Sequence, residues 1–355
     1  MSDRKKGRLL KTDSPQELLG SHQEWCKAAL RQKSLYATPE WILSLWESHY
    51  KIAGADFFLS PPGDDRFAVL PLRCSQIRKF GLPFNQVAPI SNAYANDNTL
   101  LVDGTVDQAV EDLARAISAY DWDWFTVESV LSSSRTEEMV RRFASTIGGH
   151  LTTEPHWRSP YMPIAGTWEG FLTSRSSNFR SDMKRKWNKA IGAGAEFREV
   201  TNVGEVQQAI DEVLGIENRS WKRGAGSSIA RDSAAARFYR IFLPKAAERG
   251  WLNLHLLYVK GVAVAYDMGV TLHNRYYMLK TSFDDNFDSL SPGVVIRQHV
   301  VKGLFDRGVI EHDFMGDADP YKLRWTSLDR GHISLMVFNP GRLRSRLYNW
   351  LRSKA

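Results

Sequence analysis

Apolar positions alternate along some stretches of this chain and recur every three to four residues along others. The two patterns divide it into elements. Residues 252–259, 262–270 and 275–283 are rich in β-branched and aromatic residues, with Lys260-Gly261 and His273-Asn274 between them. They predict a three-strand meander with two tight turns. Ser291-Pro292-Gly293 then opens a helix, with serine at the cap and proline at the first helical position, where its missing N–H costs nothing. Val294, Val295, His299, Lys302 and Phe305 follow at helical spacings, and Gly308 ends the run. Residues 310–314 form a short second strand. A helix start facing a gap between two strands offers N–H groups and the positive end of a helix dipole, which suits a phosphate or pyrophosphate. The tripeptide alone serves equally well as an ordinary helix start.

Elsewhere the same periods predict helices from Ser14-Pro15 and from Thr38-Pro39, and over 106–119, 171–191, 203–221, 233–249 and 342–352. Strands are predicted over 55–59, 67–72, 100–102, 122–130, 195–200 and 332–338, and a loop-rich stretch over 75–99. Helices, a β-meander and a strand–helix–strand run occur twice, over about 15–164 and 168–340, without a residue-level repeat. The expected fold class is therefore mixed α/β (α+β layered): two tandem domains, each a mixed, mostly antiparallel sheet flanked by helices. The expected boundaries are a disordered basic N-terminus (1–13), an N-terminal domain (14–165), a C-terminal domain (166–340) and a basic C-terminal helix (341–355).

Composition changes this picture little. The 355 residues carry 47 Lys and Arg against 40 Asp and Glu, a net charge of +7. That permits an anionic ligand, a nucleic acid or a lipid surface and selects none of them. Cys26 and Cys74 stand far apart in no metal-ligand spacing, and the histidines form no HExxH, so neither a metal nor a structural disulfide is expected. The basic start has no apolar core of a secretory signal, and no run approaches 18 apolar residues, which makes the cytoplasm the expected location.

Three groups of residues carry candidate chemistry. In the basic helix, Phe179, Met183, Trp187 and Ile191 form an apolar stripe while Arg180, Lys184, Arg185 and Lys189 lie off it, either as a solvated face or as a phosphate contact. Glu217 continues the apolar stripe of Val206, Ile210, Val213 and Leu214, so burial should raise its pKa and suit it to accept a proton from an amine. It serves equally as a structural carboxylate paired with Arg219, Lys222 or Arg223. In the loop 313–322, Asp313 ends a strand, Tyr321 can act as an acid toward a leaving thiolate, and Lys322 can bind an acidic group, while Asp319-Pro320 is an ordinary turn signal. The C-terminal helix is amphipathic and basic; it packs on the domain or touches anionic lipid.

Several of these stretches together resemble the GNAT superfamily of N-acyltransferases, most of all the acetyltransferase-like branch linked to cellulose and exopolysaccharide synthesis. The resemblance rests on Phe179 to Ala190 with Gly194 and Phe197, on Trp221, on 254–261, on Ser291-Pro292-Gly293, on Gly308, on Asp313-Phe314 with Gly316, and on Tyr321-Lys322. It implies two tandem GNAT-like domains, the first degenerate. It also implies acyl-CoA, as acetyl-CoA, for co-substrate, no metal, and an amine or amino sugar of a cell-envelope or exopolysaccharide precursor for acceptor. The pyrophosphate would sit at Ser291, Pro292, Gly293 and Val294 with help from Arg297, and the pantetheine arm beside Met278, Leu279, Lys280 and Thr281. Glu217 or Asp313 would take the amine proton and Tyr321 would protonate the thiolate. The superfamily's usual Gln/Arg-x-x-Gly-x-Gly/Ala turn is replaced here by Asp288-Ser289-Leu290-Ser291-Pro292-Gly293. Tandem domains of this kind are also similar to Fem-type aminoacyl transferases, which implies aminoacyl-tRNA as the alternative donor, with Arg180 to Lys189 on the tRNA. A non-catalytic scaffold is the third reading.

Overall fold

The computed structural model describes residues 9–13, 22–61, 67–92, 94–220 and 229–352. The expected helix start at Ser14 and Trp221 lie outside them. The chain forms two compact units, residues up to 159 together with those from 330 onward, and residues 160–329. The strand expected over 332–338 therefore belongs to the first unit, not to the C-terminal one, because it pairs with residues 124–131.

In the first unit β1 (Leu10–Thr12), α1 (His22–Gln32), α2 (Pro39–Leu45), β2 (Asp56–Leu59), β3 (Ala68–Lys79), β4 (Leu82–Pro89), β5 (Leu101–Val102), α3 (Val106–Ser118), β6 (Trp124–Leu131) and α4 (Arg135–Ile147) lead into β7 (Leu151–Pro163). The strands lie in the order β1-β2-β3-β4-β6, followed by Asp329–Phe338, and β5 pairs with β3. Among the registers described, only β4 and β6 are parallel. Leu113, Ile117, Val140 and Phe143 of α3 and α4 close the core over Phe125 and Val127. Two stretches differ from the sequence expectation. Leu10–Thr12 is a strand rather than a disordered start, because it pairs with Phe57–Leu59. Residues 75–89, expected as loop, continue β3 and form β4, since Cys74 to Lys79 pair with Val87 to Leu82. That end of the hairpin leaves the core, so its polar residues hid the alternation. The C-terminal helix, Leu343–Arg352, packs Tyr348 on Trp124 at 4.8 Å and leaves Leu343, Leu347 and Trp350 exposed.

The second unit contains α5 (Trp168–Thr173), α6 (Ser177–Gly192), β8 (Ala195–Val200), α7 (Val203–Asn218), α8 (Ser233–Glu248), β9 (Leu252–Val259), β10 (Val262–Leu272), β11 (Arg275–Phe283), α9 (Pro292–Asp306), β12 (Glu311–Asp313) and α10 (Pro320–Leu323). Its strand order is β7-β12-β11-β10-β9-β8, with β11 and β12 the parallel pair and the other registers antiparallel. Lys260, Gly261, His273 and Asn274 all have positive φ, the backbone that two-residue hairpin turns require. Successive residues of β10 face opposite sides: Tyr266 bonds Glu217 of α7, and Asp267 pairs with Arg297 of α9. The sheet is thus covered on both faces, by α5, α6 and α9 on one and by α7 with α8 on the other. On α6 the apolar stripe ends at Ala190, which is buried, and Ile191 is exposed instead.

Candidate active site

The site begins where two strands part. β11 pairs with β12 only through Arg275, Tyr276 and Tyr277. Beyond Tyr277 it runs on to Phe283 while the chain leaving β12 turns away through the 314–319 loop. Between the far end of β11, the start of α9 and the loop carrying α10 lies a cavity of about 740 Å³. Thr281, Phe283, Ser291, Gly293, Arg297 and Tyr321 are among its walls, and Met183 and Trp325 close one side. On its other edge β11 slips register against β10, so that Gly269 faces Met278 and Met268 faces Lys280. Leu279 is left opposite no residue, a bulge that re-aims the backbone at the point where the strands part.

The start of α9 faces this space. Ser291 holds the N-cap position in a left-handed conformation (φ 52°, ψ 50°), and its hydroxyl caps nothing. This corrects the expectation of an ordinary serine cap: Ser291 lines the cavity instead. Its carbonyl accepts from Val294 and Val295. Pro292 has no N–H to offer, and the N–H of Gly293 has no hydrogen-bond partner among the described residues. An unpaired N–H at the positive end of a 15-residue helix is an anion-binding feature. A Cβ on Gly293 would come within 3.1 Å of the Phe283 ring, so a side chain there would press on this wall of the cavity.

Behind that wall lies a buried polar cluster that sequence reasoning missed. Asp267 pairs with Arg297 and accepts from the Tyr276 hydroxyl at 2.5 Å. Arg297 also reaches His312 Nε2 at 3.4 Å, and His312 stacks on Phe314 at 4.0 Å. Burial holds His312 neutral, with its pKa well below the ordinary value. Burial pushes Asp267 up, and Arg297 and the Tyr276 hydroxyl oppose that. Arg297, expected to hold phosphate, therefore reaches the cavity with its charge already paired to Asp267. The signal was present in β10: one aspartate inside the apolar run Val-Ala-Val-Ala-Tyr-Asp-Met-Gly-Val, followed two residues later by a glycine. A Cβ on Gly269 would lie 2.3 Å from the Tyr276 ring, so the glycine admits the tyrosine that bonds Asp267.

The other expected residues divide. Lys280, Thr281, Ser291, Gly293, Val294, Arg297 and Tyr321 meet at the cavity. Met278 and Leu279 are buried in the strand beside it, and Pro292 is buried at the helix start. Desolvation raises the pKa of Tyr321, although 46% of its surface is exposed, so its hydroxyl is a proton donor at neutral pH. Lys280 is pushed down by burial, against the attraction of Glu217 and Asp232. Glu217 is fully buried; its two oxygens accept from Tyr266 at 2.6 Å and from the backbone of Ile229 at 3.1 Å. Asp313 accepts from the N–H of Met315 at 2.9 Å. Neither carboxylate is among the cavity walls. Lys322 is buried and spends its ammonium group on the carbonyls of Met315 and Asp317, at 2.7 Å each, and on Asp319 at 2.9 Å. It pins the 315–319 loop from inside, in place of the acidic ligand expected for it.

The basic helix is also largely satisfied internally. Arg180 donates to the carbonyl of Arg175 at 2.5 Å, and Lys189 to that of Ser289 at 2.7 Å. Asp182 collects Arg185, Lys186 and Arg324 at 2.7–2.8 Å. Partial burial pushes its pKa up, but those three cations outweigh burial and hold it well below the usual range. Through Arg324 this fastens α6 to the segment that follows Tyr321.

The span that builds this cavity coincides with a known domain. Residues 177–323 match the family model of the acetyltransferase (GNAT) domain. That match supports an acyltransferase, and GNAT domains in general use acyl-CoA. No curated protein sequence matches the chain. Three solved structures share its fold over nearly their whole length. The structure titled FemX is 13% identical with a TM-score of 0.60, covering 96% of this chain and 99% of FemX. A conserved protein of unknown function from Bacteroides thetaiotaomicron is 10% identical with a TM-score of 0.60, covering 93% of this chain and 99% of that one. The C-terminal domain of a putative lysylphosphatidylglycerol synthetase from Agrobacterium fabrum is 9% identical with a TM-score of 0.57, covering 93% and 94%. At such identities the likeness is one of fold. The branch linked to cellulose synthesis has no counterpart among these matches. Among the described residues no helix is long and apolar enough to cross a membrane.

Proposed function

We propose that this protein is an N-acyltransferase whose second unit, residues 160–329, binds acetyl-CoA in the cavity at the start of α9 and transfers the acetyl group to an amine. The observation that carries the reading is the unpaired Gly293 N–H at the helix start, opening on a 740 Å³ cavity beside the parted strands β11 and β12. The residues present fit the donor. The Gly293 N–H, the Ser291 hydroxyl and the helix dipole would hold its pyrophosphate, with Val294 beside them. Met278, Leu279, Lys280 and Thr281 would flank its arm, with the bulge at Leu279 turning backbone N–H groups toward the reacting carbonyl.

The thioester supplies the activated acyl group. Tyr321, protonated at neutral pH, donates to the departing thiolate. Glu217 and Asp313, the expected bases, hold backbone and tyrosine groups in place, so the amine proton passes to solvent at the mouth, where Asp288 and Asp319 stand among the cavity walls. Arg297 acts as the buried support of that wall. The acceptor fits an amino sugar or another amine-bearing envelope or exopolysaccharide precursor, met in the cytoplasm where acyl-CoA is available. Aminoacyl-tRNA as donor is the second reading, supported by the FemX-like fold and ranked second because four of the five cations of α6 already bond groups of the protein itself. Turnover of labelled acetyl-CoA over a panel of amines tests the proposal. Acetylated product supports it; product from aminoacyl-tRNA alone replaces it with the second reading.

A further inference from the structure

In the first unit, far along the chain from the residues above, three metal-ligating side chains of different chemistry converge. His22 and Cys26 are four residues apart on α1 and so share one helix face. Glu40 lies in the first turn of α2. Cys26 Sγ is 3.6 Å from His22 Nδ1, the ring nitrogen that would ligate the ion, and Glu40 Oε1 reaches the other ring nitrogen, Nε2, at 3.8 Å. One donor atom from each residue lies within 4.8 Å of the other two. With zinc–sulfur and zinc–nitrogen bonds of about 2.3 and 2.0 Å at a tetrahedral angle, the two ligand atoms stand about 3.5 Å apart. The observed 3.6 Å between Sγ and Nδ1 fits that edge. The Glu40 side chain is only 6% exposed, and a carboxylate so placed is favoured by a neighbouring cation.

We infer that His22, Cys26 and Glu40 form a binding site for one zinc ion, which ties α1 to α2 and leaves a fourth position for water. Thiolate, imidazole and carboxylate together select a borderline-soft divalent ion over magnesium or calcium. Binding releases the thiol proton, because the metal holds Cys26 as thiolate. The sequence hid the site, because the third ligand comes from the next helix and fits no familiar spacing.

The test uses the full chain, stripped of metal and titrated with zinc, then with cobalt. The expected result is one ion per chain, a cobalt–thiolate charge-transfer band, and protection of Cys26 from alkylation by zinc while the exposed Cys74 stays reactive in the same sample. Cys26→Ser should abolish the band, and Glu40→Gln should weaken zinc binding at least tenfold with an unchanged circular dichroism spectrum. Zinc binding equally tight in Cys26→Ser, or Cys26 alkylation indifferent to zinc, would overturn the inference. In the latter case Cys26 and His22 are a metal-free thiol–imidazole pair.

Discussion

Among the described registers each unit has one parallel strand pair with a helix between its strands, α3 between β4 and β6 in the first and α9 between β11 and β12 in the second, and the two helices start in opposite ways. At α3 the end is sealed. The Thr105 hydroxyl accepts from the Gln108 N–H, and the Gln108 side chain accepts from the Thr105 N–H at 2.9 Å. At α9 the same position is left-handed, uncapped and followed by Pro292 and a Gly293 whose N–H meets no partner among the described residues. A capping box satisfies the donors of a helix start; leaving it out keeps them for a ligand. On the proposed function this difference is what separates the donor-binding unit from the other, and it lies in local geometry that neither the fold class nor the net charge reveals.

The largest effect expected concerns the support behind α9. Arg297→Ala leaves Asp267 buried without its partner and should cost about 3–5 kcal/mol of stability in denaturant unfolding. A loss under about 1 kcal/mol would mean that the cluster does not hold the open helix start in place. Tyr321→Phe should lower kcat by about a hundredfold with unchanged thermal stability, since the side chain is partly exposed. Normal turnover would remove it from the mechanism.

Acid should expose a property that the units share. Burial holds His255, in the second unit, at about 3 and His332, in the first, at about 4. Glu199 stands 3.8 Å from His255 but is engaged by Arg307 at 2.6 Å, so it does not reverse the effect. Both imidazoles are neutral in the folded state, while the unfolded chain protonates them below about 6.5. Stability from each is thus present above about pH 6.5 and lost as pH falls toward 4 and then 3. His255→Gln should flatten the lower part of a melting-temperature profile taken from pH 7 to 3; an unchanged slope would contradict its neutral burial. The smallest effect belongs to the sealed end: Thr105→Ala should cost about 1 kcal/mol and leave acetyl-CoA affinity unaltered.

Periodicity located most of the elements, because long runs such as 252–283 and 203–218 carry a clear strand or helix period. It failed where pairing extends past the core, as at Cys74 to Lys79, since polar residues on both faces carry no period there. Ser291, Gly293 and Val294 were readable because proline and glycine mark a helix start whatever the fold around it; Lys280 and Thr281 entered only through the family resemblance. Glu217 and Lys322 bond the protein's own groups, which sequence could not show: a buried charge looks the same there whether it faces a substrate or the protein's own backbone. The Asp267–Arg297 pair joins residues thirty positions apart across a sheet and a helix, and no local pattern contains it.

The central claim rests on Gly293, and calorimetry of acetyl-CoA binding to the parent protein and to Gly293→Asp tests it most directly. A carboxylate there sets negative charge at the helix start and a side chain against Phe283. The account predicts at least tenfold weaker binding, with a melting temperature that falls far less than the affinity does. Equal affinity in the two proteins would place the donor elsewhere and contradict the account.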